Sequence, residues 1–81
     1  MNIGINKALG KIIKELRRSK KSSQESLAEA TGLHTNTIYL LESGLHEPRL
    51  STFLFIAKAF EIAPDKLMGL VMAEYYKENG N

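Results

Sequence analysis

Residues 33–44, LHTNTIYLLESG, hold a cluster of side chains whose types could do specific chemistry. His34 and Glu42, with His46 just beyond, are of metal-ligating types, but the two histidines fall at opposite ends of a helical segment and cannot converge on one ion. The chain has no cysteine, so neither a thiolate zinc site nor a disulfide can form. No nucleophile–base arrangement, phosphate-cradling glycine loop or pair of carboxylates flanking a cleft is visible. The expectation is therefore no catalytic residue, no metal and no cofactor. What remains is contact chemistry: the hydroxyl of Thr35, the carboxamide of Asn36, an outward-looking Tyr39 and the apolar Leu40, with no lysine or arginine among them.

Helical periodicity supplies the scaffold for these groups. Ile5, Leu9, Ile12, Ile13 and Leu16 recur at spacings of three and four, which predicts a first helix over about residues 5–20. Its opposite face carries Lys7, Lys11, Lys14, Arg18 and Lys21, with Arg17 at the border. A second helix follows Ser23, a good N-cap, with Glu25 in its first turn, Leu27, Ala28 and Thr31 facing inward, and Gly32 ending it in the left-handed conformation. The third helix runs from about residue 35 to Ser43, closed by Gly44, and Ile38 and Leu41 are its inward residues. The fourth covers about 50–60 with Phe53, Ile56, Ala57 and Phe60 as core stripe, after Pro48 has blocked continuation of the third. A fifth starts near Pro64 and runs to about Tyr76, leaving residues 77–81 as a frayed tail. No run of alternating β-type residues appears, so the fold class is all-α with five helices.

Eighty-one residues make one small domain with one core and no room for a small-molecule effector domain. No apolar run approaches the ~20 residues of a membrane span, and with no cysteine the reducing cytoplasm is the expected compartment. Charge is distributed unevenly. Residues 1–21 hold seven bases against Glu15, a net +6, whereas residues 22–81 hold four bases and eight acids, a net −4. A basic segment of this kind suits a phosphate backbone or an acidic partner, though most such side chains simply solvate a helix face.

A helix, a short turn with glycine and a second helix, over residues 23–44, form a helix-turn-helix arrangement. The segments SQESLAEATGL, TIYLLESG and EPRLSTFLFIAKAF, with Ala28 where the two helices approach most closely, resemble the DNA-binding domain of the lambda-repressor, Cro and XRE family of transcriptional regulators. The likeness covers roughly residues 9–68. In size the chain is similar to restriction–modification controller proteins and short phage repressors. The resemblance implies a homodimer on palindromic double-stranded DNA, in the cytoplasm of a prokaryote or phage host and associated with the nucleoid, with the third helix in the major groove.

It also implies roles for individual residues. Thr35, Asn36 and Leu40 match the main base-reading positions, with Tyr39 nearby; a carboxamide such as that of Asn36 can pair with adenine N6 and N7 together. Because arginine and glutamine are absent there, the half-site is expected to favour A·T pairs. His34 departs from the family's short polar N-cap, so Thr35 is expected to cap instead. Gln24 matches a phosphate contact at a helix N-terminus. Ser43, the Leu45 backbone N–H, His46 and Arg49 belong to a loop that touches phosphates, Arg49 being the full positive charge there. Arg17 and Glu42 match a structural ion pair joining the first helix to the end of the third.

A second surface exceeds what a monomer needs. Phe55, flanked by Leu54, falls opposite the core stripe of the fourth helix. In the fifth, Leu67, Leu70 and Val71 form one apolar stripe and Met68, Met72 and Tyr75 another. One stripe covers the core and the other is free for a partner. Phe55, Met68, Met72 and Tyr75 are the expected dimer interface. An alternative uses the same surface for another protein, as in an antitoxin-like interaction module.

Overall fold

The computed structural model describes residues 3–80. Five helices follow one another: α1 Ile3–Ser19, α2 Gln24–Thr31, α3 Thr35–Glu42, α4 Leu50–Ala59 and α5 Pro64–Asn79. No strand occurs among the described residues, as the periodicity predicts. Ser23 caps α2, its Oγ accepting from the Ser26 N–H at 2.9 Å. Gly32 (φ 75°) ends that helix, its N–H returning to the Ala28 carbonyl. The turns after α1 and α4 take the same left-handed shape without glycine, at Lys21 (φ 53°) and Glu61 (φ 55°). There the N–H groups of Ser22 and Ile62 reach back to the carbonyls of Arg17 and Ala57 at 3.0 Å, closing the carbonyls that each helix end leaves open.

α1 lies against both α3 and α5, α2 packs on α3 and α4, and α4 meets α5. Ile13, Ile38, Leu41, Ile56, Leu67 and Val71 are fully buried, so every helix except α2 places at least one large side chain at the centre. α2 adds Leu27 and Ala28 to the same core.

α5 departs from its sequence reading in two ways. It continues to Asn79, so most of the segment expected to fray is helical, and Gly80 (φ 71°) closes it; Asn81 lies outside the described residues. The extra turn carries Glu78, which together with Glu74 faces Lys11 of α1 at 3.5 and 2.8 Å. The inward stripe is Leu67, Val71 and Glu74, which turns the helix relative to the expected wheel. Leu70, expected inside, is 41% exposed, and Tyr75, expected outside, packs half-buried against the core. A buried carboxylate at Glu74 is sustained because an ammonium meets it.

The backbones of α1 and the end of α3 come close together at Gly10. A Cβ on Gly10 would stand 2.6 Å from the Glu42 carbonyl oxygen and nearer still to that of Leu41. Main-chain atoms cannot rotate away, so Gly10→Ala must separate the two helices. It is expected to destabilise the domain by about 3 kcal/mol in urea unfolding, the upper range for overpacking. Gly69→Ala is the matched control, because a Cβ there meets nothing within 4 Å; it should stabilise α5 by about 0.5–1 kcal/mol. Equal effects of the two substitutions would contradict the packing described.

The Lys11–Glu74 pair sets a pH dependence. The Lys11 ammonium holds the Glu74 carboxyl below its ordinary value of 4.5, and Glu74 in turn raises Lys11 above 10.5. The folded protein therefore takes up a proton at Glu74 less readily than the unfolded chain. This part of the stability is present above about pH 4.5 and is lost as pH falls through the lowered value. Thermal melts across the acid range should show Glu74→Gln losing less stability than the parent, the two curves converging at low pH. Parallel curves would rule the pair out as a source of acid sensitivity.

Candidate nucleic-acid interface

α2 packs against α3 and buries Ala28 in the core, and Leu33 packs half-buried against the core at the turn. The Thr31 hydroxyl donates to the Leu27 carbonyl at 2.8 Å, and its oxygen lies 3.3 Å from the Leu33 N–H, tying the turn to the end of α2. Ile38 and Leu41 are completely buried, which fixes the rotation of α3 about its axis. At 100° per residue, this turns Thr35, Asn36 and Tyr39 into solvent, with Tyr39 53% exposed. Leu40 is only half-buried, so part of its side chain remains at the surface beside them.

Thr35 does not cap α3. His34 holds the N-cap position with extended backbone (φ −76°, ψ 148°) and offers no side-chain hydrogen bond. Thr35 is the first helical residue, and its hydroxyl has no hydrogen bond among the described residues. It is thus available to a ligand, as are the side chains of Asn36 and Tyr39.

Behind this edge lies a hydrogen-bonded cluster. Arg17 Nε donates to Glu42 Oε2 at 2.7 Å and Arg17 Nη2 donates to Glu42 Oε1 at 3.0 Å, a bidentate fork. Arg17 Nη1 donates to the Ser22 carbonyl at 2.9 Å. The side chains are 13% and 4% exposed, and Glu42 raises the pKa of Arg17 by its hydrogen bond. Gln24 joins the same carboxylate: its Nε2 donates to Glu42 Oε1 at 3.0 Å. The Arg17–Glu42 pair is legible in the sequence through resemblance and through the place of each residue beside an inward stripe, whereas nothing in the residue pattern points to the third member.

Two of the expected phosphate donors in the loop after α3 are engaged within the helix end. The Ser43 hydroxyl donates to the Tyr39 and Leu40 carbonyls at 3.0 and 3.1 Å, so it presents a lone pair outward instead of a proton. The Leu45 N–H closes on the Leu40 carbonyl at 3.1 Å. His46 and Arg49 are exposed on the loop, and Arg49 makes no capping hydrogen bond to α4.

The residues of the second expected surface differ in exposure. Phe55 and Met68 are 49% and 42% exposed, and Met72 is half-buried. Tyr75 contributes less than expected, since it packs on the core and meets Tyr76 edge-on at 5.6 Å; Tyr76, not singled out in the sequence, is 42% exposed. A groove of about 500 Å³ is lined by the start of α1, the 47–50 loop, Phe53 of α4, and Met68 and Val71 of α5. Among the described residues no helix is long and apolar enough to cross a membrane.

The ion pair carries a direct stability consequence. Arg17→Ala leaves the Glu42 carboxylate buried with only Gln24 as donor, and should destabilise the domain by about 3 kcal/mol. Denaturant unfolding checks this; a loss below about 0.5 kcal/mol, the range of an exposed pair, would contradict it.

A family model described as helix-turn-helix matches residues 13–67. No curated protein matches the sequence. Among solved structures, the restriction-modification controller protein C.AhdI from Aeromonas hydrophila is 34% identical, with a TM-score of 0.74 over 76% of this chain and 94% of its own. The clp gene regulator ClgR from Corynebacterium glutamicum superposes with a TM-score of 0.87 over 94% of this chain and 81% of its own, at 18% identity. The controller protein C.Esp1396I, solved as a tetramer in complex with its natural 35-base-pair operator, gives 0.80 at 21% identity, covering 88% and 93% of the two chains. The match over residues 13–67, which takes in the α2–turn–α3 unit and the Arg17–Glu42 pair that braces it, together with the likeness to C.AhdI, places the chain in the helix-turn-helix family, as a domain of the XRE type.

Proposed function

We propose that the chain is a sequence-specific regulator of transcription that binds double-stranded DNA as a homodimer, with α3 in the major groove of a palindromic operator. The observation that carries this reading is the outward edge of α3: Thr35, Asn36 and Tyr39 are exposed and have unengaged polar groups, on a helix fixed by the burial of Ile38 and Leu41. Asn36 reads adenine through a bidentate pair, while Thr35 and the surface part of Leu40 meet thymine methyl groups. Gln24 and Arg49 contact phosphates, with His46 on the same loop. Ser43 joins them only if its hydroxyl turns away from the Tyr39 and Leu40 carbonyls. The operator complex solved for C.Esp1396I supports the DNA reading by analogy of fold.

Two-fold pairing through Phe55, Met68 and Met72 sets the two α3 helices about one DNA turn apart. The same exposed apolar residues favour a second reading, a module that docks on another protein. Sedimentation at micromolar concentration separates the two: a homodimer that Met68→Lys dissociates supports the first, and a monomer that aggregates supports the second.

Selection of bound duplexes from a random pool tests the DNA reading itself. A·T pairs should be enriched opposite residues 35, 36 and 40; guanine at those positions would overturn the assignment. Asn36→Ala should relax the preference at one base pair of each half-site, costing about 1–3 kcal/mol of discrimination there. Arg49→Ala should weaken binding to every sequence and lower the salt slope by about one.

A further inference from the structure

We propose that Glu42 is a positioning residue for the DNA-phosphate contact of Gln24, so that the Arg17–Glu42 pair acts in binding as well as in folding. The inference rests on the reading above that Gln24 meets a phosphate. An ion pair between α1 and α3 requires only its two members, yet Glu42 Oε1 accepts a second bond, from Gln24 Nε2 at 3.0 Å. Gln24 is the first residue of α2, the end at which helix dipole and free N–H groups favour an anion.

An ionised carboxylate has no proton to give, so only the NH2 side of the Gln24 carboxamide can face it. That fixes the amide: one N–H of Nε2 is held by Glu42, and the other is free for an oxygen in front of α2. A glutamine side chain loose in solvent would pay rotamer entropy on meeting a phosphate; here the orientation is set before DNA arrives. Arg17 makes the arrangement tolerable beside a polyanion, because its fork on both Glu42 oxygens neutralises the carboxylate. Its third bond, to the Ser22 carbonyl at 2.9 Å, fixes the backbone just before the cap of α2. One guanidinium therefore orders the end of α1, the approach to α2 and, through Glu42, the side chain that leads α2.

The test is a cycle of DNA affinities measured on the duplex returned by selection, with unfolding curves for each variant. Arg17→Met combined with Glu42→Met replaces the pair by apolar side chains without changing net charge, an exchange that often preserves a fold. In the parent, Gln24→Ala should weaken binding about tenfold per half-site. The double variant should weaken it by a similar factor while remaining folded, and adding Gln24→Ala to it should cost little more. The salt slope should be the same in all four proteins, since no net charge changes. A full tenfold penalty for Gln24→Ala in the double variant overturns the positioning role. No penalty in the parent overturns the Gln24 phosphate contact as well, while leaving the Asn36 discrimination to stand by itself. The parent protein provides a readout independent of the double variant's folding, because Gln24 is the only glutamine in the chain and its side-chain amide signals are unambiguous. One of its two protons should exchange slowly in the free protein and the other should shift on DNA addition; two freely exchanging protons, or none that responds to DNA, would refute the proposal.

Discussion

An eight-residue helix has almost no stability of its own in water, so α3 keeps its shape and direction only through what it sits on. That seat is α1. Ile38 and Leu41 are sealed beneath α3, and Gly10 lets the last carbonyls of α3 come against the backbone of α1. Gly44 (φ 76°) repeats the device one step on, since a Cβ there would lie 3.0 Å from Lys7 Cα. The Arg17 fork then holds the C-terminal end of α3. Rotation, depth and end-point of the helix are each set by a different contact, and the outward edge inherits all three.

The division of charge follows from the same arrangement. Of the seven bases in residues 1–21, Arg17 and Lys11 are tied to Glu42 and Glu74, while Lys7, Lys14, Arg18, Lys20 and Lys21 remain in solvent. Long-range attraction for a polyanion can thus come from α1, leaving α3 to carry neutral groups suited to discrimination. A recognition helix without lysine or arginine is compatible with DNA binding under this division.

Local rules made much of this legible in the sequence. Ser23, Gly32 and the apolar spacing of α1–α4 each act within a turn or two, and each appears where the spacing predicts. The less legible features depend on what lies across the core. Gly10 reads as a weak point in a helix until α3 is placed against it. Glu74 belongs to neither apolar stripe of the α5 sequence, because its partner Lys11 is 63 positions away; its burial turns α5 so that Leu70 is exposed and Tyr75 packs on the core. The Ser43 hydroxyl and Leu45 N–H looked free for a ligand because the carbonyls they meet belong to the closure of α3, which depends on its tertiary seat. Gln24 matches a phosphate-contacting position by resemblance alone, and its bond to Glu42 depends on how α2 and α3 are placed in the fold.

In the proposed reading, the outward edge of α3, positioned from α1, is the surface that meets DNA. Mapping amide and side-chain NMR shifts at saturation with a selected duplex tests it most directly. The largest changes are expected at Thr35, Asn36, Tyr39 and the leading end of α2 at Gln24. Changes confined to Phe55 and α5, with α3 unperturbed, would contradict it.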